Sequence, residues 1–182
     1  MTELEKMLAG QLYNAGDKKL TDMRQQARQK IADFNNCIDA SKRSQFLKEW
    51  LGATGEHVYM EPGFVCDYGS NIYLGDHFYA NFNTTMLDVC EIRIGDNAML
   101  GPNCQLLTPL HPLDAQKRVS GQEYGAPITI GDNVWLGGGV TILHGVTLGD
   151  NVVVGAGSVV TKSFGDNLFI AGNPAKVIKE IS

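Results

Sequence analysis

Apolar residues recur every six positions from Ile130 to Gly165, at Ile130, Leu136, Ile142, Leu148, Val154 and Val160. The fifth place of each six is also small or apolar: Val134, Val140, Val146, Val152, Ser158 and Phe164. A helix repeats its faces every 3.6 residues and a strand every two, so neither gives this period. A chain that makes a short strand and then a corner in every six does. The opening residue points inward, and Gly-Asp-Asn supplies a turn whose third residue needs a positive φ. Three such sides close a triangular coil, and coils stack at a strand spacing of roughly 4.8 Å. Six uninterrupted matches predict a mainly β protein, a parallel β-helix of hexapeptide repeats.

The same phase is visible earlier, at Leu74, Ala80 and Met86 and again at Ile94, Leu100 and Leu106, with a two-residue insertion in Asp88-Val89-Cys90-Glu91. Between Leu106 and Ile130 it disappears, and the polar run Asp114 to Tyr124 reads as a loop (107–127) thrown out from one corner. Long loops on regular scaffolds are usually functional. Before about residue 53 the period is helical. Leu4, Met7, Leu8 and Leu12 share one face; Leu20, Met23, Ala27, Ile31 and Phe34 share a second; Phe46, Leu47, Trp50 and Leu51 suggest a third helix. Thr21 or Asp22 is the expected cap of the second helix and Ser41 of the third. The chain divides into a helical cap (1–53), the coils (54–170) and a short tail (171–182) able to cover the last coil.

Composition narrows the reading. The 182 residues carry 20 acidic and 15 basic side chains, for a net charge of −5. Six of those cations lie beyond residue 50, namely Arg93, Lys117, Arg118, Lys162, Lys176 and Lys179. So acidic a β surface is a poor platform for nucleic acid. No apolar run approaches the ~20 residues of a membrane span, and the first residues lack the features of a secretion signal. Cys37, Cys66, Cys90 and Cys104 form no CxxC pair. They read as reduced thiols in a cytoplasm.

Of the four histidines, His57, His77 and His144 are expected to face solvent at turns. Their spacing does not resemble the zinc ligands of a carbonic-anhydrase-like β-helix. His111 differs, because Pro109 and Pro112 stiffen the backbone around it at the root of the loop.

Several segments carry a family resemblance. His111-Pro112-Leu113-Asp114, then Gly121, Glu123 and Pro127, then Ile130 to Gly138 are similar to the hexapeptide O-acetyltransferases of the maltose and galactoside group. Met7-Leu8-Ala9-Gly10, Cys66-Asp67-Tyr68-Gly69, Ala80-Asn81-Phe82-Asn83, Leu87-Asp88-Val89-Cys90 and Gly172-Asn173-Pro174-Ala175 extend the match over essentially the whole chain. The resemblance implies a left-handed parallel β-helix, homotrimers with sites between subunits, and direct acetyl transfer from acetyl-CoA to a sugar hydroxyl, with no metal required. His111 would be the general base and Asn81 the donor to the oxyanion. Gly138, Ala156, Thr161, Lys162, Lys176 and Lys179 match positions around coenzyme A, whose phosphates call for cations. Lysines where some relatives carry arginine replace a bidentate fork by a point charge. Asp67, Tyr79, Asp88 and Glu123 line up with the sugar pocket, and Asp17 is a further candidate. Val89 stands where galactoside enzymes carry a second aspartate, which favours glucose or maltose as acceptor. Two alternatives stay open: the same chemistry on a galactoside, amino sugar or foreign alcohol, and a non-catalytic β-helix scaffold.

Overall fold

A computed structural model describes all 182 residues. The hexads wind into a solenoid of about six coils with three parallel faces. The first face stacks Ala53–Thr54, Ile72–Leu74, Ile92–Ile94, Ile128–Ile130 and Thr147–Leu148; the third stacks Val65–Cys66, Thr85–Leu87, Gln105–Leu107, Thr141–Leu143 and Val159–Val160. The second runs from Val58–Met60 through Phe78–Ala80, Met99–Leu100, Trp135–Leu136 and Val153–Val154 to Leu168–Gly172. The opening residues of the six hexads are all within 2% of full burial. They form the axis of one apolar core of 33 residues.

The first corner shows why Gly-Asp-Asn repeats. Asn97, Asn133, Asn151 and Asn167 take φ of 56°, 58°, 54° and 58°, in the left-handed region that asparagine tolerates. Each aspartate Oδ1 accepts the backbone N–H of the aspartate one coil earlier, from Asp76 onto Asp96, Asp96 onto Asp132 and Asp132 onto Asp150, at 2.7 Å each. The asparagines add a second ladder, Asn97 to Asn133 at 3.0 Å and Asn151 to Asn167 at 2.8 Å. Side chains thus bind neighbouring coils where the backbone ladder turns away.

Three helices form the cap: α1 (Glu3–Leu8), α2 (Lys18–Asn36) and α3 (Ala40–Trp50). α1 opens with a capping box between Thr2 and Glu5, and it stops before Leu12. α2 begins earlier than the apolar spacing suggested, because Asp17 rather than Thr21 or Asp22 accepts from the free N–H groups of Lys19 and Leu20. Asp39, not Ser41, does the same for α3. The apolar faces of α2 and α3 are as expected, but their caps sit two to five residues upstream, and on the first face Met7 is buried while Leu8 and Leu12 are exposed.

The loop is not irregular. Pro109–Leu110 pairs antiparallel with Gln122–Gly125, which pairs in turn with Tyr13–Asn14 of the cap. A short helix, α4 (Ala115–Val119), fills the tip, with Asp114 accepting from Lys117. The tail is not separate either. Leu168–Gly172 and Ala175–Glu180 form an antiparallel hairpin that finishes the second face, so a boundary at 171 falls inside a strand. No helix is long and apolar enough to cross a membrane. All four cysteines are free, three of them buried.

Candidate active site

The loop leaves the coil at Thr108, whose buried hydroxyl donates to Leu87 O at 2.6 Å and accepts from Cys90 N at 3.1 Å. This anchor fixes the strand that ends just before His111. The imidazole is 61% exposed, at the mouth of a cleft of about 400 Å³ enclosed by α2, the third corner and the loop. Its Nε2 lies 3.9 Å from Oε2 of Glu123, a carboxylate only 16% exposed. Tyr13 of the cap donates its O–H to Glu123 Oε1 at 2.5 Å. Burial, reinforced by that hydrogen bond, pushes the Tyr13 phenol well above its ordinary range, so it stays protonated as a donor.

The cleft floor is acidic and its cap wall is basic. Arg28 donates to Cys66 O at 2.6 Å and stands 3.6 Å from Asp67 Oδ1. Burial raises the Asp67 pKa, and Arg28 opposes the shift. Arg24 donates to the Tyr68 hydroxyl at 2.8 Å and to Ala15 O at 2.7 Å. A small cluster of Met7, Tyr13, Leu20, Tyr68, Val89 and Cys90 packs cap and coil together beneath these groups.

His111, Glu123 and Asp67 therefore line one cleft. Asp88 does not reach it. It is fully buried, and its oxygens accept from the backbone N–H groups of Asp67 (3.0 Å), Tyr68 (2.9 Å) and Asn71 (3.2 Å). It holds the corner that presents Asp67 rather than facing an acceptor. Tyr79 lies on the second face, stacked on Tyr59 at 5.9 Å, and Asp17 is occupied as the α2 cap. Asn81, Gly138 and Ala156 share the second corner, one side of the triangle away from His111. Thr161 and Lys162 are exposed at the end of the third face, and Lys176 and Lys179 on the final hairpin strand. Arg24, Arg28, Tyr13 and Tyr68 line or brace the cleft without having been singled out from sequence. The four-residue spacing of Arg24 and Arg28 was the available signal, and on a helix it normally marks a solvated face.

Glycine placement at the second corner separates two roles. A Cβ on Gly137 would meet the backbone of Ala156 at 2.6 Å, so coil stacking itself requires glycine there. On Gly138 it would come no closer than 3.4 Å to Pro102. The chain's own packing does not demand glycine at 138.

Residues 6–55 match the maltose acetyltransferase hexapeptide capping motif, and residues 127–162 match six bacterial transferase hexapeptide repeats. A maltose O-acetyltransferase from Clostridium difficile superposes with a TM-score of 0.98 at 50% identity, over 100% of this chain and 98% of that one. The chain belongs to the hexapeptide-repeat acetyltransferases. A galactoside acetyltransferase in complex with coenzyme A is 41% identical with a TM-score of 0.95, over 100% of this chain and 92% of that one. A hexapeptide-repeat acetyltransferase from Vibrio cholerae, complexed with acetyl coenzyme A, is 35% identical with a TM-score of 0.91 over the full length of both chains. As an acetyltransferase of the maltose and galactoside type, the protein uses acetyl-CoA as co-substrate. Lys162, Lys176 and Lys179 are all exposed.

Proposed function

We propose that the protein transfers the acetyl group of acetyl-CoA to a hydroxyl of a small sugar of the glucose or maltose kind, with His111 as general base. The observation that carries this reading is the cleft beside His111. It is lined by carboxylates and guanidinium groups suited to hydroxyls, and it is walled by the helical cap. Imidazole is the side chain that both takes and returns a proton near neutral pH. His111 accepts the proton of the acceptor hydroxyl as its oxygen bonds to the thioester carbonyl carbon. The carbon–sulfur bond then breaks, and the same imidazole returns the proton to the departing thiolate. The thioester is already activated, so no covalent link to the chain is needed. Glu123, held by Tyr13, faces the imidazole.

Asn81 is the proposed donor to the tetrahedral oxyanion. It stands a full side of the coil from His111 in one chain, so the reading includes a homotrimer in which each site draws on two subunits. Gly138, Ala156, Thr161 and the three lysines are the proposed coenzyme A contacts. Val89, an apolar group at the cleft, leaves fewer partners for an extra acceptor hydroxyl, and this supports glucose or maltose over a galactoside.

The test is thiol release from acetyl-CoA with glucose, maltose, a β-galactoside, glucosamine and no acceptor in parallel. Turnover with glucose or maltose is expected. It should fall by about 10²-fold or more in His111→Ala while acetyl-CoA affinity and folding hold. A variant with near-normal turnover overturns the assignment of the base, and release only with another acceptor moves the substrate.

A further inference from the structure

The first corner is irregular in its first two rungs. Where four coils place asparagine, the second places His77, at a φ of 53°. Histidine tolerates the left-handed region less well than asparagine and gives up the amide ladder that the other rungs make. Directly beneath it, one coil earlier, stands His57, since Val58 pairs in register with Phe78. The two imidazoles lie face to face, centroids 4.6 Å apart and planes 3° from parallel. Asp76 completes the group. Its Oδ1 accepts the backbone N–H of His57 at 2.6 Å and of His77 at 3.0 Å, which fixes the carboxylate. Its Oδ2 remains turned toward both rings, 3.4 Å from His57 Nδ1 and 3.7 Å from His77 Nε2.

We propose that His57, Asp76 and His77 bind a divalent transition-metal ion of the zinc kind, which clamps the terminal coil to its neighbour. One donor atom from each residue lies within 4.8 Å of the other two. Bound zinc at its usual ligand distances of about 2.0–2.2 Å draws such donors slightly closer together. In stacked rings the nitrogen lone pairs lie in parallel planes, so binding requires one imidazole to turn about its Cβ–Cγ bond. The side chains are 60% and 62% exposed, so the rotation gives up mainly the stacking of the two rings on each other. Two imidazoles and a carboxylate select a borderline transition metal; magnesium and calcium take all-oxygen sites. Water fills the remaining positions.

The location gives the ion a purpose. A coil within a solenoid is stacked on coils from both sides, whereas the terminal coil has a coil on one side only and relies on the helical cap on the other. His57 belongs to that coil, and Ser41 and Ser44 of α3 border the same groove, so the clamp lies where cap and solenoid join. It stands apart from the cleft of His111 and does not depend on the acetyl-transfer mechanism.

The test is calorimetric titration of Zn²⁺ into the full chain without a histidine tag, with thermal unfolding read alongside. One saturating equivalent per chain and a raised Tm are expected. His77→Asn installs the residue used by the other coils, so folding is preserved. It should weaken binding by about tenfold or more through loss of one of three ligands, and abolish the Tm shift. His57→Asn provides a second, independent deletion. His111→Ala should retain the site, which separates it from the His111–Glu123 pair. Absence of saturable binding, or equal binding in both the His57 and His77 variants, overturns the proposal and leaves the group as two stacked histidines on an aspartate.

Discussion

Asp88 shows how a single buried group can be read too quickly as a ligand contact. Burial pushes its pKa up to about 7, against three backbone N–H groups that favour the carboxylate. With the folded pKa above the unfolded one, the native state holds the proton more tightly. Its contribution to stability is greatest at low pH and declines as pH rises from about 4 to about 7, by up to ~1.4 kcal/mol per unit. Denaturant titrations across this window should show wild type losing stability relative to Asp88→Asn. Parallel profiles would mean that the N–H groups keep Asp88 ionised throughout. At the cleft, Glu123→Gln removes the negative charge facing His111, and turnover should fall by about tenfold or more while acetyl-CoA affinity is unchanged. An effect confined to acceptor KM would make Glu123 a substrate contact instead.

Among the elements, the contact between cap and loop decides whether a cleft exists. Gly10 takes a φ of 69°, and a Cβ there would sit 2.8 Å from Gly125 O. Both conditions exclude a larger residue: the backbone is left-handed, and a carbonyl of the loop strand occupies the space. Gly10→Ala should destabilise the protein by about 1–3 kcal/mol and raise acceptor KM, with coenzyme A binding close to normal. Unchanged acceptor KM would show that the cap does not shape the cleft. Asp39→Ala should cost about 1 kcal/mol, as loss of the α3 cap. These elements also show what the sequence made legible. Helical faces and hexads were readable because burial imposes a period. The caps at Asp17 and Asp39 were missed because capping is a local hydrogen bond that can be made by any of several nearby polar residues. The strand Gln122–Gly125 was missed for a related reason: it pairs with the cap, so its pattern answers to a partner about a hundred residues away.

For the molecule as a whole, the six-residue period specified the coils almost completely, since every opening residue it marked is in the core. The cleft was legible only in part. His111, Asp67 and Glu123 were found through their motifs, whereas Arg24 and Arg28 enter it only because α2 folds back across the third corner. Asn81 and His111 on different corners make a further expectation about assembly. Chains carrying His111→Ala and chains carrying Asn81→Ala, each inactive alone, should regain activity when refolded together. If every site takes one residue from each of two subunits, about a quarter of the sites in a random mixture are intact. Absence of any recovery would place both residues in one subunit's site.

The strand Tyr13–Asn14 pairs with Gln122–Glu123, and Tyr13 bonds Glu123 across a separation of 110 residues. Each coil contacts the next almost at once during synthesis, but this pairing joins a segment made early to one made much later. Loop-closure entropy makes so distant a contact slow to form. The cap must therefore wait, on or near the ribosome, for more than half the chain before its partner strand exists. A solenoid can be complete in its coils and still have no acceptor cleft.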